Sequence, residues 1–204
     1  MDTMSPDRSE TTPAARAHSE TGAVASASDA AAVQAVERHH AELAGTLTVH
    51  VEALLNAVGG VADPGVDAVE PARGRLVGFC TAELLPHAAA EEGSLYPAAA
   101  ASERARLLVE AMVAEHRVLE GLVEEIRTAE GPVRAAAAGN ALRVLFEVHL
   151  TKENDLILPL VAADPNVSVS EILAGMHELL GHHGHDGHEG RGGRDAEVPE
   201  SAGG

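Results

Sequence analysis

Two short segments of this chain repeat one pairing. His87 stands four residues before Glu91, and His149 stands four residues before Glu153. Each pair runs on through an apolar stretch to a proline at the same offset, Pro97 and Pro159. In a helix, residues four apart lie on one face, one turn above the other. An imidazole and a carboxylate stacked in this way can chelate or bridge metal ions. The bland alternative for any one histidine on an apolar face is a core residue bonded to backbone. Here, however, the ionisable groups are too many for a dry core, where each unpaired one costs several kcal/mol. A metal ion offsets that cost by ligating neutral imidazoles and carboxylates together.

The elements that must position these groups are four long segments with helical periodicity. The first spans about Asp29 to Val58, with an apolar stripe of Val33, Val36, Leu43, Leu47, Val51, Leu54 and Val58, and stops at Gly59 and Gly60. The second spans about Pro71 to Ala99. The third starts near Ser102, a suitable N-cap, and ends at Gly131. The fourth opens with Pro132, suited to a first helical turn, and ends near Ala163. Ser168 and Glu171 have the spacing of a capping box and announce a short fifth helix. Short connections between four helices predict an all-α fold, an antiparallel up-down-up-down four-helix bundle over residues 29–180. Residues 1–28 and 181–204 lack periodicity and are expected to be disordered.

Placed on this grid, each helix aims one histidine inward. His40 is in step with Val36 and Leu43, whereas His39 falls off the stripe. His87 is in step with Leu84 and Glu91, His116 with Met112 and Leu119, and His149 with Leu142, Leu145 and Leu156. Glu91, Glu153 and Glu120 each follow their histidine by one turn. The first and third helices also share H-x-x-L-x-G, at His40/Leu43/Gly45 and His116/Leu119/Gly121, so the chain reads as two helical hairpins on one plan. The candidate metal ligands are His40, His87, Glu91, His116, Glu120, His149 and Glu153. Glu37 and Glu83 lie one turn before His40 and His87 and are either partners of those imidazoles or, equally, exposed glutamates. Tyr96 and Phe146 are expected mainly to fill the core, and Pro86 to bend the second helix.

Composition narrows the function. The core must be built from aliphatic residues, since there is no Trp, one Tyr and two Phe among 204 residues. With 14 basic against 32 acidic residues and a net charge of −18, neither nucleic acid nor an anionic membrane surface is an expected partner. No apolar run nears the roughly 20 residues that span a bilayer. One cysteine, Cys80, excludes an intramolecular disulfide, and the N-terminal residues lack the apolar core of a secretory signal, so a cytoplasmic location is expected. The tail holds His182, His183, His185 and His188, a tract able to bind metal weakly.

Nitrogen and oxygen ligands without thiolate suit iron or manganese rather than structural zinc. The pattern of His40, His87-x-x-x-Glu91, His116 and His149-x-x-x-Glu153, with its E-x-x-L-x-P endings, resembles the hemerythrin-like, or HHE cation-binding, domains over roughly residues 30 to 162. The resemblance implies a non-haem di-iron centre bridged by the two carboxylates. It also implies a small diatomic or peroxide ligand: dioxygen, nitric oxide or peroxide, bound by a sensor, scavenger or buffer. The alternatives are an iron-handling protein or a di-iron enzyme acting on peroxide or nitric oxide. The family's oxygen carriers place a further histidine where Glu120 stands here, and end in H-x-x-x-x-D where this chain has H-x-x-x-E.

Overall fold

Apolar residues at alternating steps of three and four residues can be buried together only on one side of a helix. The structure, a computed structural model, describes residues 13–60 and 68–183, with side chains for residues 27–60, 68–176 and 178. It consists of helices: α1 (Pro13–Gly59), α2 (Val69–Phe79), α3 (Leu85–Gly93), α4 (Leu95–Ala100), α5 (Glu103–Thr128), α6 (Pro132–Lys152), α7 (Leu158–Ala162) and α8 (Val169–His183). There is no strand among the described residues. None of these helices is long and apolar enough to cross a membrane.

α1 packs against α2 and α6, and α5 packs against α6 and α2, closing a ring of four helical columns into a bundle. Its stops follow local chemistry. α1 ends at Gly59, and Gly60 takes a left-handed φ of 65°, which glycine adopts without a Cβ clash. Pro132 opens α6. Ser102 occupies the N-cap of α5 through its carbonyl, which accepts from the Ala105 and Arg106 N–H groups, and not through its hydroxyl. Ser168 Oγ accepts from the Glu171 N–H at 3.3 Å, one half of the expected capping box. Asp29 of α1 completes that corner by accepting from Ser168 Oγ and the Ser170 N–H, both at 3.0 Å.

α1 starts at Pro13, inside the segment expected to lack structure, and residues 1–12 lie outside the described residues. Likewise α8 carries helical backbone to His183. The rest of the tail, with His185 and His188, lies outside the described residues.

The second and fourth columns are not uniform. Cys80–Leu84 and Glu153–Ile157 are π-helical, and each stops two residues before a proline, Pro86 or Pro159. Proline offers no N–H to the carbonyl four residues back, and its ring crowds that carbonyl. The turn widens instead: the Leu85 N–H bonds to the Cys80 carbonyl and the Leu158 N–H to that of Glu153. The bend expected at Pro86 is therefore a wide turn just ahead of it. Each wide turn absorbs an extra residue, so inward positions there fall at steps of four, as in Leu76, Cys80 and Leu84, or Glu153, Ile157 and Val161.

Two apolar clusters fill the interior. One gathers Leu47, Leu54, Leu76, Leu84, Leu119 and Leu142; the other gathers Val36, Leu95, Met112, Ile157, Leu158 and Val169. Between them, on all four columns, the inward residue is polar.

Candidate metal centre

The polar layer consists of His40, His87, Glu91, His116, His149 and Glu153, each at most 2 % exposed. Each sits where the apolar stripe of its helix would otherwise continue. Val36 and Leu43 bracket His40, and Met112 and Leu119 bracket His116. Local periodicity alone turns these groups inward; the packing of the four columns brings them together.

The ligand atoms form two groups that share one carboxylate. His40, His87 and Glu91 make the first, and Glu91, His116, His149 and Glu153 make the second; within each group the atoms lie within 4.8 Å of one another. Glu91 Oε1 is 3.0 Å from His87 Nε2 and 3.3 Å from His40 Nε2, while its Oε2 is 3.6 Å from His116 Nε2. Glu153 is its counterpart, with Oε1 3.4 Å from His149 Nε2 and Oε2 3.8 Å from His40 Nε2.

Among the described residues, three buried side-chain polar atoms make no hydrogen bond: His87 Nδ1, His87 Nε2 and Glu153 Oε2. His87 Nε2 is close to Glu91 but lacks the alignment of a hydrogen bond. His116 Nε2 and His149 Nε2 face each other at 3.0 Å. Converging imidazole nitrogens and orphaned carboxylate oxygens are poor protein–protein contacts and good metal donors. The residues present thus fit a cation.

The outer nitrogens of three rings are held from outside the layer. His40 Nδ1 meets Asn154 Oδ1 at 2.7 Å, His116 Nδ1 meets Glu92 Oε1 at 2.8 Å, and His149 Nδ1 meets Glu115 Oε2 at 3.0 Å. Lys152 pairs with the other Glu115 oxygen. Such contacts fix the ring and its tautomer, leaving Nε2 free to ligate.

The hemerythrin HHE cation-binding domain model matches residues 31–161, most of the described structure. This chain belongs to the hemerythrin HHE family. No curated protein and no solved structure matches the chain. In this HHE domain the matched span begins just before His40 and ends just after Glu153, so it encloses the whole polar layer.

Electrostatics within the HHE domain follow from burial against charge. Burial drives the Glu91 carboxyl up, but His87 and His40 outweigh it and hold Glu91 well below the usual carboxylate range. Burial likewise pulls His40 and His149 down. Glu91 and Glu153 raise His40 above its ordinary value, and Glu153 and Glu115 do so for His149. Burial pushes the Cys80 thiol up to about 12, the mark of an inert core cysteine.

The structure corrects several expectations. Glu120 is exposed and stands outside the layer. α5 has no wide turn, so its inward positions alternate regularly: Met112, His116, Leu119, Val123. The step after His116 is three residues, which puts Leu119 inside and Glu120 in solvent. Glu83 is exposed as well. Glu37 is exposed but lines a cleft of about 260 Å3, with Ala41, Glu147, Thr151 and Asn154, that reaches His40. Tyr96 does more than fill space. Its hydroxyl donates to Glu153 Oε1 at 2.5 Å and lies 3.2 Å from His116 Nε2 and 3.3 Å from His149 Nε2. Burial, then the charges of Glu91 and Glu153, raise the Tyr96 pKa far above its ordinary value, so the phenol stays protonated.

Asn154, Glu92 and Glu115 were missed because polar residues beside a buried stripe usually face water. A signal was available: Glu92 and Asn154 each directly follow an inward glutamate, and Glu115 directly precedes an inward histidine.

Proposed function

We propose that this protein holds a non-haem di-iron centre and binds dioxygen, or a related small ligand such as nitric oxide or peroxide, as a sensor, scavenger or buffer in the cytoplasm. The observation that carries the reading is the pair of donor groups sharing Glu91. His40 and His87 would hold one ion, His116, His149 and Glu153 the other, and Glu91 both. Iron in such a site supplies reversible electron donation to a small ligand. Four imidazoles with only two carboxylates favour the ferrous state over a carboxylate-rich shell, which suits ligand binding better than mineral storage.

The chain's own residues set the conditions. Apolar clusters on both sides of the layer keep bulk water out. The α1/α6 cleft gives small molecules an approach toward His40. Tyr96 presents a protonated hydroxyl beside His116 and His149, a donor for a ligand bound there. A lone, buried cysteine agrees with a reducing compartment.

Elemental analysis and optical spectra of the iron-loaded protein under nitrogen, air and nitric oxide test the reading. Two iron ions per chain and a spectrum that changes with each gas are expected. Less than one iron per chain, or spectra indifferent to the gas, would overturn it. The Tyr96 hydroxyl also favours a second reading, a di-iron enzyme acting on peroxide or nitric oxide. That reading requires turnover above free iron, falling at least tenfold in Tyr96→Phe.

A further inference from the structure

Four imidazoles enter the layer, and three have their outer nitrogen held: His40 by Asn154, His116 by Glu92, His149 by Glu115. His87 Nδ1 is buried and has no hydrogen-bond partner. The internal repeat says where its partner should be. His40 corresponds to His116 and His87 to His149, so the residue before His40 corresponds to the residue before His116. That places His39 in the role of Glu115. The two cross-holding partners obey the same correspondence, since Glu92 follows Glu91 and Asn154 follows Glu153.

Geometry agrees. The His39 ring lies 4.9 Å from the His87 ring, centroid to centroid, in an edge-to-face arrangement at 69°. His39 is half-buried. A neutral imidazole has a free acceptor nitrogen. An ion on His87 Nε2 would draw charge from that ring and strengthen its Nδ1–H as a donor.

We propose that His39 is the positioning residue of His87, accepting its Nδ1–H as Glu115 accepts that of His149, so that the two ion positions have unequal backing. This rests on the metal-centre reading above. The His40/His87 position is backed by neutral groups, Asn154 and His39. The His116/His149 position is backed by carboxylates, Glu92 and Glu115, with Lys152 pairing with Glu115. A carboxylate partner raises imidazole basicity and strengthens the metal bond. The ion at His40 and His87 is therefore the more weakly held and leaves first.

Anaerobic calorimetric titration of the full chain with iron(II) tests this, using wild type, His39→Ala and His39→Gln. Wild type should fill in two steps. His39→Ala should weaken the second step by about 10- to 100-fold and leave the first unchanged, the usual size of effect when such a partner is lost. His39→Gln, whose amide oxygen can accept the same proton, should restore the second step to within about threefold of wild type, an expectation scaled to that effect. A purely structural role for His39 predicts instead a change in both steps and no rescue by Gln. Nitrogen–proton correlation spectra of the zinc-loaded protein give a readout free of iron chemistry. The His87 Nδ1 proton should be protected and shifted downfield in wild type and His39→Gln, and lost in His39→Ala. Two unchanged steps in His39→Ala, or an unmoved His87 proton, overturn the positioning role alone. Wild type that takes up zinc but no iron overturns the iron reading, while the zinc-loaded spectra still decide on His39.

Discussion

The two halves of the polar layer are built on one sequence plan and end up chemically different. On the His40/His87 side, an amide meets the outer nitrogen of His40, and the His87 ring meets that of His39 edge to face. On the His116/His149 side, two carboxylates meet the outer nitrogens, and the Tyr96 phenol stands among the inward donors. The residue corresponding to Tyr96 in the second hairpin is Leu158, which is wholly buried and apolar. Repetition of H-x-x-x-E therefore duplicates donors without duplicating their surroundings. The difference teaches that the repeat sets the inward donors, whereas the residues one position away set what stands behind each ring.

Removing the element common to both halves should have the largest effect. Glu91→Ala takes a carboxylate from both donor groups, and iron content should fall from two per chain to near none by elemental analysis. His87→Ala should cost only the ion on its own side. If Glu91→Ala retained one iron while His87→Ala lost both, the assignment of Glu91 as the shared ligand would be wrong.

Tyr96→Phe sharpens the contrast from the other side. The phenol donates to the buried carboxylate of Glu153, and hydrogen bonds to charged groups contribute about 1.5–3 kcal/mol. The metal-free variant should lose roughly that much stability in denaturant unfolding, with iron stoichiometry unchanged.

Acidity acts on both halves in a defined direction. His40 and His149 have folded pKa values raised above 6.5, so they stabilise the metal-free protein fully below that pH, and this contribution disappears as pH rises through the raised values. Glu91 is held below its ordinary 4.5, so its contribution is present above that pH and is lost as pH falls through the lowered value. The metal-free protein should thus be most stable in mildly acidic solution, between these limits, by chemical denaturation at a series of pH values. Metal affinity should move the opposite way at the upper limit, rising with pH, because ligation requires neutral imidazoles.

The smallest effect is expected at Glu120. Glu120→Gln should change stability by no more than about 0.5 kcal/mol, as surface substitutions do, and leave iron content as in wild type. Leu119→Ala, one residue earlier, should cost about 2–5 kcal/mol, as buried leucine truncations do. A loss of iron in Glu120→Gln would rotate α5 relative to the other columns.

Much of the layer was legible in the sequence because helical phase is local. His40, His87, Glu91, His116, His149 and Glu153 are inward since each continues an apolar stripe whose neighbours must be buried, and all six are. Glu120 was misplaced because i+3 and i+4 both count as one face on an ideal helix. The register of the whole stripe, Ala105 through Ile126, was needed to decide between Leu119 and Glu120. The start of α1 at Pro13 was hidden by a polar, proline-containing stretch whose composition resembles disorder.

What the sequence determined by itself was the helical class, the stop at Gly59–Gly60, the start at Pro132, and the identity of the inward donors, because propensity, capping and periodicity act within a few residues. Tertiary structure alone decided which donors converge and what stands behind each ring. Glu92 reaches His116, Asn154 reaches His40, and Tyr96 reaches Glu153 across positions far apart in the chain. Those contacts depend on the rotation of one helical column against another. That rotation is set by the two apolar clusters packing together, and by the wide turns ahead of Pro86 and Pro159 that shift each column's register by a residue.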